Sequence, residues 1–130
     1  MNEKRFLLLF TIISVLLFGS LKIYQTINNQ KGIIDIQNNS KQVLYDVQIL
    51  YINSDSTKEV RLGTIDIDKH ISHIINTEID VHINISFELG NGQKYDVSVI
   101  GYANNSIKAS KKVEVISDIY DDIQVIISIQ

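Results

Sequence analysis

The chain has 130 residues, a formal net charge of −3, and no cysteine, proline or tryptophan. That length admits one modest domain beside an N-terminal segment, and the missing cysteine excludes disulfides and thiolate metal sites. Beyond residue 24, nine basic residues face fourteen acidic ones; they are scattered along the chain, which argues against nucleic acid as a partner, because that binding depends on clustered positive charge.

The first element is apolar. Phe6 to Leu21 runs sixteen residues without a charge, behind Lys4 and Arg5 and ahead of Lys22, Ile23 and Tyr24. Sixteen helical residues reach roughly 24 Å and nineteen roughly 28 Å, against a hydrocarbon core of about 30 Å. A snorkelling Lys22 and a headgroup-level Tyr24 lengthen the effective span. Residues 1–24 are therefore expected to form one transmembrane helix retained as a signal-anchor, with Phe6 to Tyr24 in contact with the membrane. Lys4 and Arg5 place the N-terminus in the cytoplasm and the rest of the chain outside, as a single-pass protein of the cell membrane. The alternative is a signal peptide cleaved near Gly19 or Ser20, with secretion of the remainder. Those sites put Leu17 or Phe18 three residues before the scissile bond, unlike the small residues that cleavage prefers, and no cysteine follows to carry a lipid. Residues 25–32, containing TINNQKG, read as a short tether, and residues 33–130 as the extracytoplasmic domain.

Within that domain the apolar period is two. IIDIQ (residues 33–37) ends in NNSKQ; VLYDVQILYI (residues 43–52) places Val43, Tyr45, Val47, Ile49 and Tyr51 on one face and ends at NSDS. EVRLGTIDI is one strand bent at Gly63 or two short ones. TEIDVHINISFEL alternates Ile79, Val81, Ile83, Ile85, Phe87 and Leu89 with polar residues, the mark of a strand with one buried and one wet face. GNG at residues 90–92 supplies the positive φ of a hairpin turn, and KYDVSVIGY resumes the alternation with Tyr95, Val97 and Val99. KKVEVIS and IQVIISI flank a last turn at DIYDD. No helical spacing persists after residue 25, so the apolar faces must meet in a second sheet. The pattern predicts an all-β fold: an immunoglobulin-like β-sandwich of about seven strands, preceded by one N-terminal transmembrane helix.

Ligand-type residues cluster once, in DIDKHISHI, where Asp66, Asp68, His70 and His73 are the candidate metal ligands. On a strand, a spacing of three sends side chains to opposite faces, so convergence on a metal requires a turn; solvated loop residues are the favoured interpretation, and no metal or other cofactor is assigned. His82 falls on the wet face of its strand. The carboxylates of DIYDD lack the glycine and spaced oxygens of a calcium loop and read as a charged hairpin tip. Tyr102 is a candidate for a hydroxyl bond at a sheet corner, with ordinary partial burial preferred. Sequons occur at Asn38, Asn84 and Asn104. No nucleophile elbow, phosphate-cradling loop or paired carboxylate supports an enzyme, and no catalytic residue is assigned.

NNSKQVLYDVQI, LGTIDID, FELGNGQKYDVSVIGY and the closing IQVIISI resemble the turn and strand chemistry of small uncharacterised membrane-anchored or secreted β-sandwich proteins of low-GC Gram-positive bacteria. The resemblance implies an envelope location and no activity. The expected function is protein–protein interaction by a sandwich displayed outside the membrane, as an accessory or an inhibitory, immunity-type module. The alternative is a secreted or tethered carrier of a small ligand or metal, centred on His70 and His73.

Overall fold

Alternation of apolar and polar residues is converted into two facing sheets. The computed structural model describes residues 3–28, 31–77, 80–103 and 110–130, with side chains of the helix at residues 8 and 10–22. Two compact units result, Met1–Gln30 and Lys31–Gln130.

The first unit is the helix α1, Glu3–Asn28. Its described leucines, isoleucines, valine and phenylalanines are exposed, and two of its serines turn back onto the backbone, Ser14 Oγ to the carbonyl of Phe10 and Ser20 Oγ to that of Leu17, each at 2.9 Å. Among the described residues no helix is long and apolar enough to cross a membrane. The side chains of residues 10–22 alone cover about 20 Å, and the ends of the expected span, including Phe6, Leu7, Ile23 and Tyr24, lie outside the described side chains. The helix continues to Asn28 and the second unit opens at Lys31, both within residues 25–32, where the tether is expected; Asn29 and Gln30 lie outside the described residues.

The second unit holds eight strands among the described residues: β1 (Ile33–Asn39), β2 (Leu44–Ile52), β3 (Thr57–Ile65), β4 (His70–Ile74), β5 (Val81–Leu89), β6 (Lys94–Ala103), β7 (Lys111–Ser117) and β8 (Ile123–Ile129). They form two four-stranded sheets, β4-β1-β7-β8 and β3-β2-β5-β6. Neighbours are antiparallel except β1 and β7, which run parallel from Ile34↔Lys111 to Asn39↔Ile116. The fold is an all-β sandwich with one more strand than the seven read from the pattern; the addition is β4, HISHI, whose five residues are too short to declare a period. EVRLGTIDI resolves into the single strand β3, with Gly63 at φ 92 opposite Val47 where the register shifts.

Both sheets feed one core. Ile34 and Ile36 of β1 and Val113 and Val115 of β7 meet Val47 and Ile49 of β2 and Val81, Ile83, Ile85, Phe87 and Leu89 of β5 in a buried cluster. The β5 alternation is realised residue by residue from Val81 onward; Ile79 lies outside the described residues. β2 departs from expectation. One extra residue between Tyr45 and Gln48 shifts its register against β5, and Asp46 sits at φ 46. A bulge reverses the facing of the residues before it, so Leu44 is buried while Tyr45 is exposed and Val43 only half-buried. Tyr45 covers Gly90 instead, where an added Cβ would lie 3.6 Å from its ring. Two further shifts in β6, around Ile100, bury both Val99 and Ile100.

The crossing from β1 to β2 is held by a buried polar group. Asn38 is fully buried; its amide donates to the carbonyls of Gln42 (2.8 Å) and Ile65 (3.1 Å), and its oxygen accepts from the backbone N–H (3.1 Å) and hydroxyl (2.6 Å) of Ser40. Its own backbone donates to Lys69 (2.9 Å) and accepts from Asp68 (2.8 Å). Asn38 therefore ties β1, the NNSKQ turn and the β3–β4 turn into one knot. As a sequon it is unusable, because its amide nitrogen is buried and committed.

Candidate functional site

The polar chemistry of the sandwich gathers at its two ends. At the end where β2 and β4 finish and β5 begins, Tyr51 of β2 is buried and reaches across the sheets to His73 of β4: Oη and Nε2 lie 2.7 Å apart, and the rings meet edge to face at 6.0 Å. The backbone N–H of Asn76 donates weakly to the same hydroxyl at 3.5 Å. The direction of the Tyr51–His73 bond follows the tautomer of His73: the phenol donates where Nε2 is unprotonated and accepts where Nε2 carries the proton. Burial raises the Tyr51 pKa, opposed by the Asn76 bond, and burial followed by the charge of Lys58 lowers that of His73. Both directions favour the neutral forms, a neutral phenol and a neutral imidazole, at physiological pH. Beside them opens a cleft of about 350 Å³ lined by Tyr51, Lys58, Asn76, Thr77 and Val81 among others.

The candidate metal ligands are not assembled. Ile71 and His73 turn toward the core side of β4, while His70, Ser72 and Ile74 are exposed on the other face, so the two imidazoles stand on opposite sides of the sheet, as strand geometry requires. Asp66 and Asp68 lie exposed in the turn before β4, where Asp68 takes φ 61. Among the described residues no group of three or more histidines or carboxylates is placed to hold a metal ion. His82 is exposed on the outer face of β5, and Tyr102 is half exposed at the end of β6.

The Tyr51–His73 bond carries a pH signature. Unfolded His73 titrates near its ordinary 6.5 and folded His73 below it, so the unfolded chain binds the extra proton first. The stability due to this site is complete above about pH 6.5 and declines as pH falls from there through the folded pKa. Thermal unfolding followed from about pH 7 to about pH 5 should show a falling Tm whose slope is reduced in His73→Gln. Equal slopes in both proteins would contradict the assignment.

At the opposite end, the β7–β8 turn is closed by its own hydrogen bonds and carries its apolar residues outward. Asp118 Oδ1 accepts from the backbone N–H of Tyr120 (2.8 Å) and Asp122 (3.0 Å); the main chain closes with Asp118 N to Asp122 O (2.9 Å) and Asp121 N to Asp118 O (3.1 Å). Asp121, at φ 62, pairs with Lys41. The carboxylates of Asp118 and Asp121 thus serve the turn and an ion pair. What the turn presents is Ile119 and Tyr120, 87% and 78% exposed. Sequence reasoning missed them because a charge count of the turn hides the two side chains that the Asp118 cap turns outward; the Asp two residues before a tyrosine in a tight turn was the available signal.

No family model and no curated protein matches the chain. Among solved structures, the NMR structure of a protein from Eubacterium rectale is similar, with a TM-score of 0.54 at 16% identity, covering 77% of this chain and 90% of that one. At that identity the likeness concerns the fold.

Proposed function

We propose that the chain is a single-pass envelope protein, and not an enzyme, whose sandwich works outside the cytoplasmic membrane by binding another protein as an accessory or immunity-type module. The observation that carries this reading is the Ile119–Tyr120 tip. Exposed single hydrophobics are ordinary, but a branched aliphatic and a tyrosine side by side on a turn locked by Asp118 need little ordering on binding, the property that makes aromatic side chains effective contact anchors.

The sandwich is of immunoglobulin type on this reading. β1, β2, β3, β4, β5 and β6 follow the order of strands B, C, C′, E, F and G, with E-B facing C′-C-F-G. β7 takes the position of strand A beside B, running parallel to it. Support for the anchor comes from α1: its apolar side chains surround the helix, and Ser14 and Ser20 satisfy their hydroxyls on the helix's own carbonyls, an arrangement suited to lipid. Lys4 and Arg5 at its start set the N-terminus inside on this reading. The resemblance to membrane-anchored or secreted sandwich proteins of low-GC Gram-positive bacteria points the same way, and cleavage near Gly19 or Ser20 is the rival outcome.

The small-ligand carrier is kept as a second reading because of the cleft beside Tyr51, whose lining of hydroxyl, amide and Lys58 ammonium suits a small polar or anionic molecule. Its metal form loses its basis with His70 and His73 on opposite faces of β4.

Affinity capture from envelope extracts separates the readings. The full chain should recover a specific protein that Ile119→Ser/Tyr120→Ser fails to recover, while Tm is unchanged because both side chains are exposed. Equal recovery by both proteins would remove the tip from the interface, and a thermal shift with small anions in the absence of any partner would favour the carrier.

A further inference from the structure

We propose that β8 is a self-pairing edge: two copies of the chain join antiparallel along β8, about a two-fold axis at Ile126, so that their β4-β1-β7-β8 sheets become one continuous sheet. The inference is carried by β8 alone and stands or falls separately from the partner contact at the Ile119–Tyr120 tip.

Four strands end the two sheets, and three of them are defended in the usual ways. β3 carries Lys58, Glu59 and Arg61 and is irregular at Gly63; β6 carries Lys94 and Asp96 and shifts register twice; β4 has only five residues. β8 has none of these devices. Its seven residues, IQVIISI, contain no charge, no proline and no glycine, and its register against β7 is unbroken from Ser117↔Ile123 to Lys111↔Ile129. Among the described residues nothing pairs with its outer side. The core is also unfinished there: Ile123, Val125 and Ile127 face inward but are only partly buried, and Ile129 is 81% exposed; on the outer face Ile126 is 47% exposed.

The occupant is argued from the pattern of the strand itself. IQVIISI reads alike from either end. A two-fold axis at Ile126 sets Ile123 against Ile129, Gln124 against Ser128, Val125 against Ile127 and Ile126 against itself, and carries Asp122 to Gln130. Every apolar residue then meets an apolar one, both polar positions meet each other, and no like charges oppose, which is the self-complementarity an isologous interface needs. Moving the axis one residue either way places Gln124 against Ile126 or Ile126 against Ser128, so the register is specified. An added strand also covers the half-buried inward faces of Ile123, Val125 and Ile127.

The chain has no cysteine, so a single introduced one reports its own neighbour. In full-length protein held in mild detergent and mildly oxidised, Ile126→Cys should form a disulfide-linked dimer, because residues directly opposite have Cβ atoms about 4.5–5.5 Å apart, close to disulfide reach. Gln124→Cys should not, since its twin lies four residues away along the ladder, roughly 13 Å; mixing Gln124→Cys with Ser128→Cys should restore the cross-link. Ile74→Cys, exposed on the opposite edge strand, is the control for random collision. Association through the helix alone would give no dependence on β8 position and would overturn the proposal, as would an Ile126→Cys that stays monomeric or that cross-links in cells to another protein instead of itself.

Discussion

Asn38→Ala is expected to destabilise the domain by about 3 kcal/mol, a large change for one polar residue. The side chain makes four hydrogen bonds within a site closed to solvent. Alanine removes both donors, leaving the Gln42 and Ile65 carbonyls to lose a partner, and removes the acceptor for Ser40. Each buried group left unpaired costs about 1–3 kcal/mol, more than the pair itself contributes, because water cannot replace what is lost. Part is recovered, since the Ser40 hydroxyl, freed from Asn38 Oδ1, can turn its one proton to the Gln42 carbonyl 2.9 Å away. Asn38→Asp separates size from chemistry. It preserves the volume and the acceptor yet brings a carboxylate against two carbonyls, so at neutral pH it should be no milder than alanine. Denaturant titration should show a lower midpoint with an unchanged slope, and a loss under about 1 kcal/mol would mean that solvent reaches this knot.

Phe87→Ala is expected to cost about 3–5 kcal/mol. Phe87 sits on the inner face of β5, a central strand, is 2% exposed, and stacks on Tyr95 of β6 with ring centroids 5.0 Å apart and planes within 10°. Truncation leaves a cavity between two sheets whose backbones are fixed by their ladders, so the site collapses poorly. Phe87→Leu keeps most of the volume and should lose under about 1.5 kcal/mol. The ratio of the two losses is the informative quantity. Similar losses would show that shape and stacking, not volume, set the stability of this layer.

The parts of the fold that were legible are those governed by a local rule. β5 showed its inward face because its alternation is unbroken from Val81 to Leu89, and the turn at Gly90 to Gly92 was legible because Gly92 takes φ 84. β2 misled at its start: alternation assigned Val43 and Tyr45 to the core, and the bulge at Asp46 exchanged them for Leu44. That bulge depends on pairing with β3 and β5 together, which no window of the sequence contains. β4 escaped for a related reason, since HISHI becomes a strand through its antiparallel pairing with β1, from Ile33↔Ile74 to Gln37↔His70. The same pairing separates His70 from His73 and delivers His73 to Tyr51, twenty-two residues earlier in the chain. Asn38 looked like a turn residue and a sequon because burial is not written in composition. Ile119 and Tyr120 were hidden by the carboxylates around them.

The central claim is that the apolar helix stays attached and the sandwich stands outside the cytoplasmic membrane. It is tested by protease shaving of intact cells that express the chain with a C-terminal tag, combined with N-terminal sequencing of the cell-associated protein. The account predicts an uncleaved N-terminus in the membrane fraction, resistant to alkaline extraction, and loss of the tagged domain to protease added outside while a cytoplasmic marker survives. A chain beginning at Ser20 or Leu21 and free in the medium would contradict it, as would a tag protected until the cells are broken.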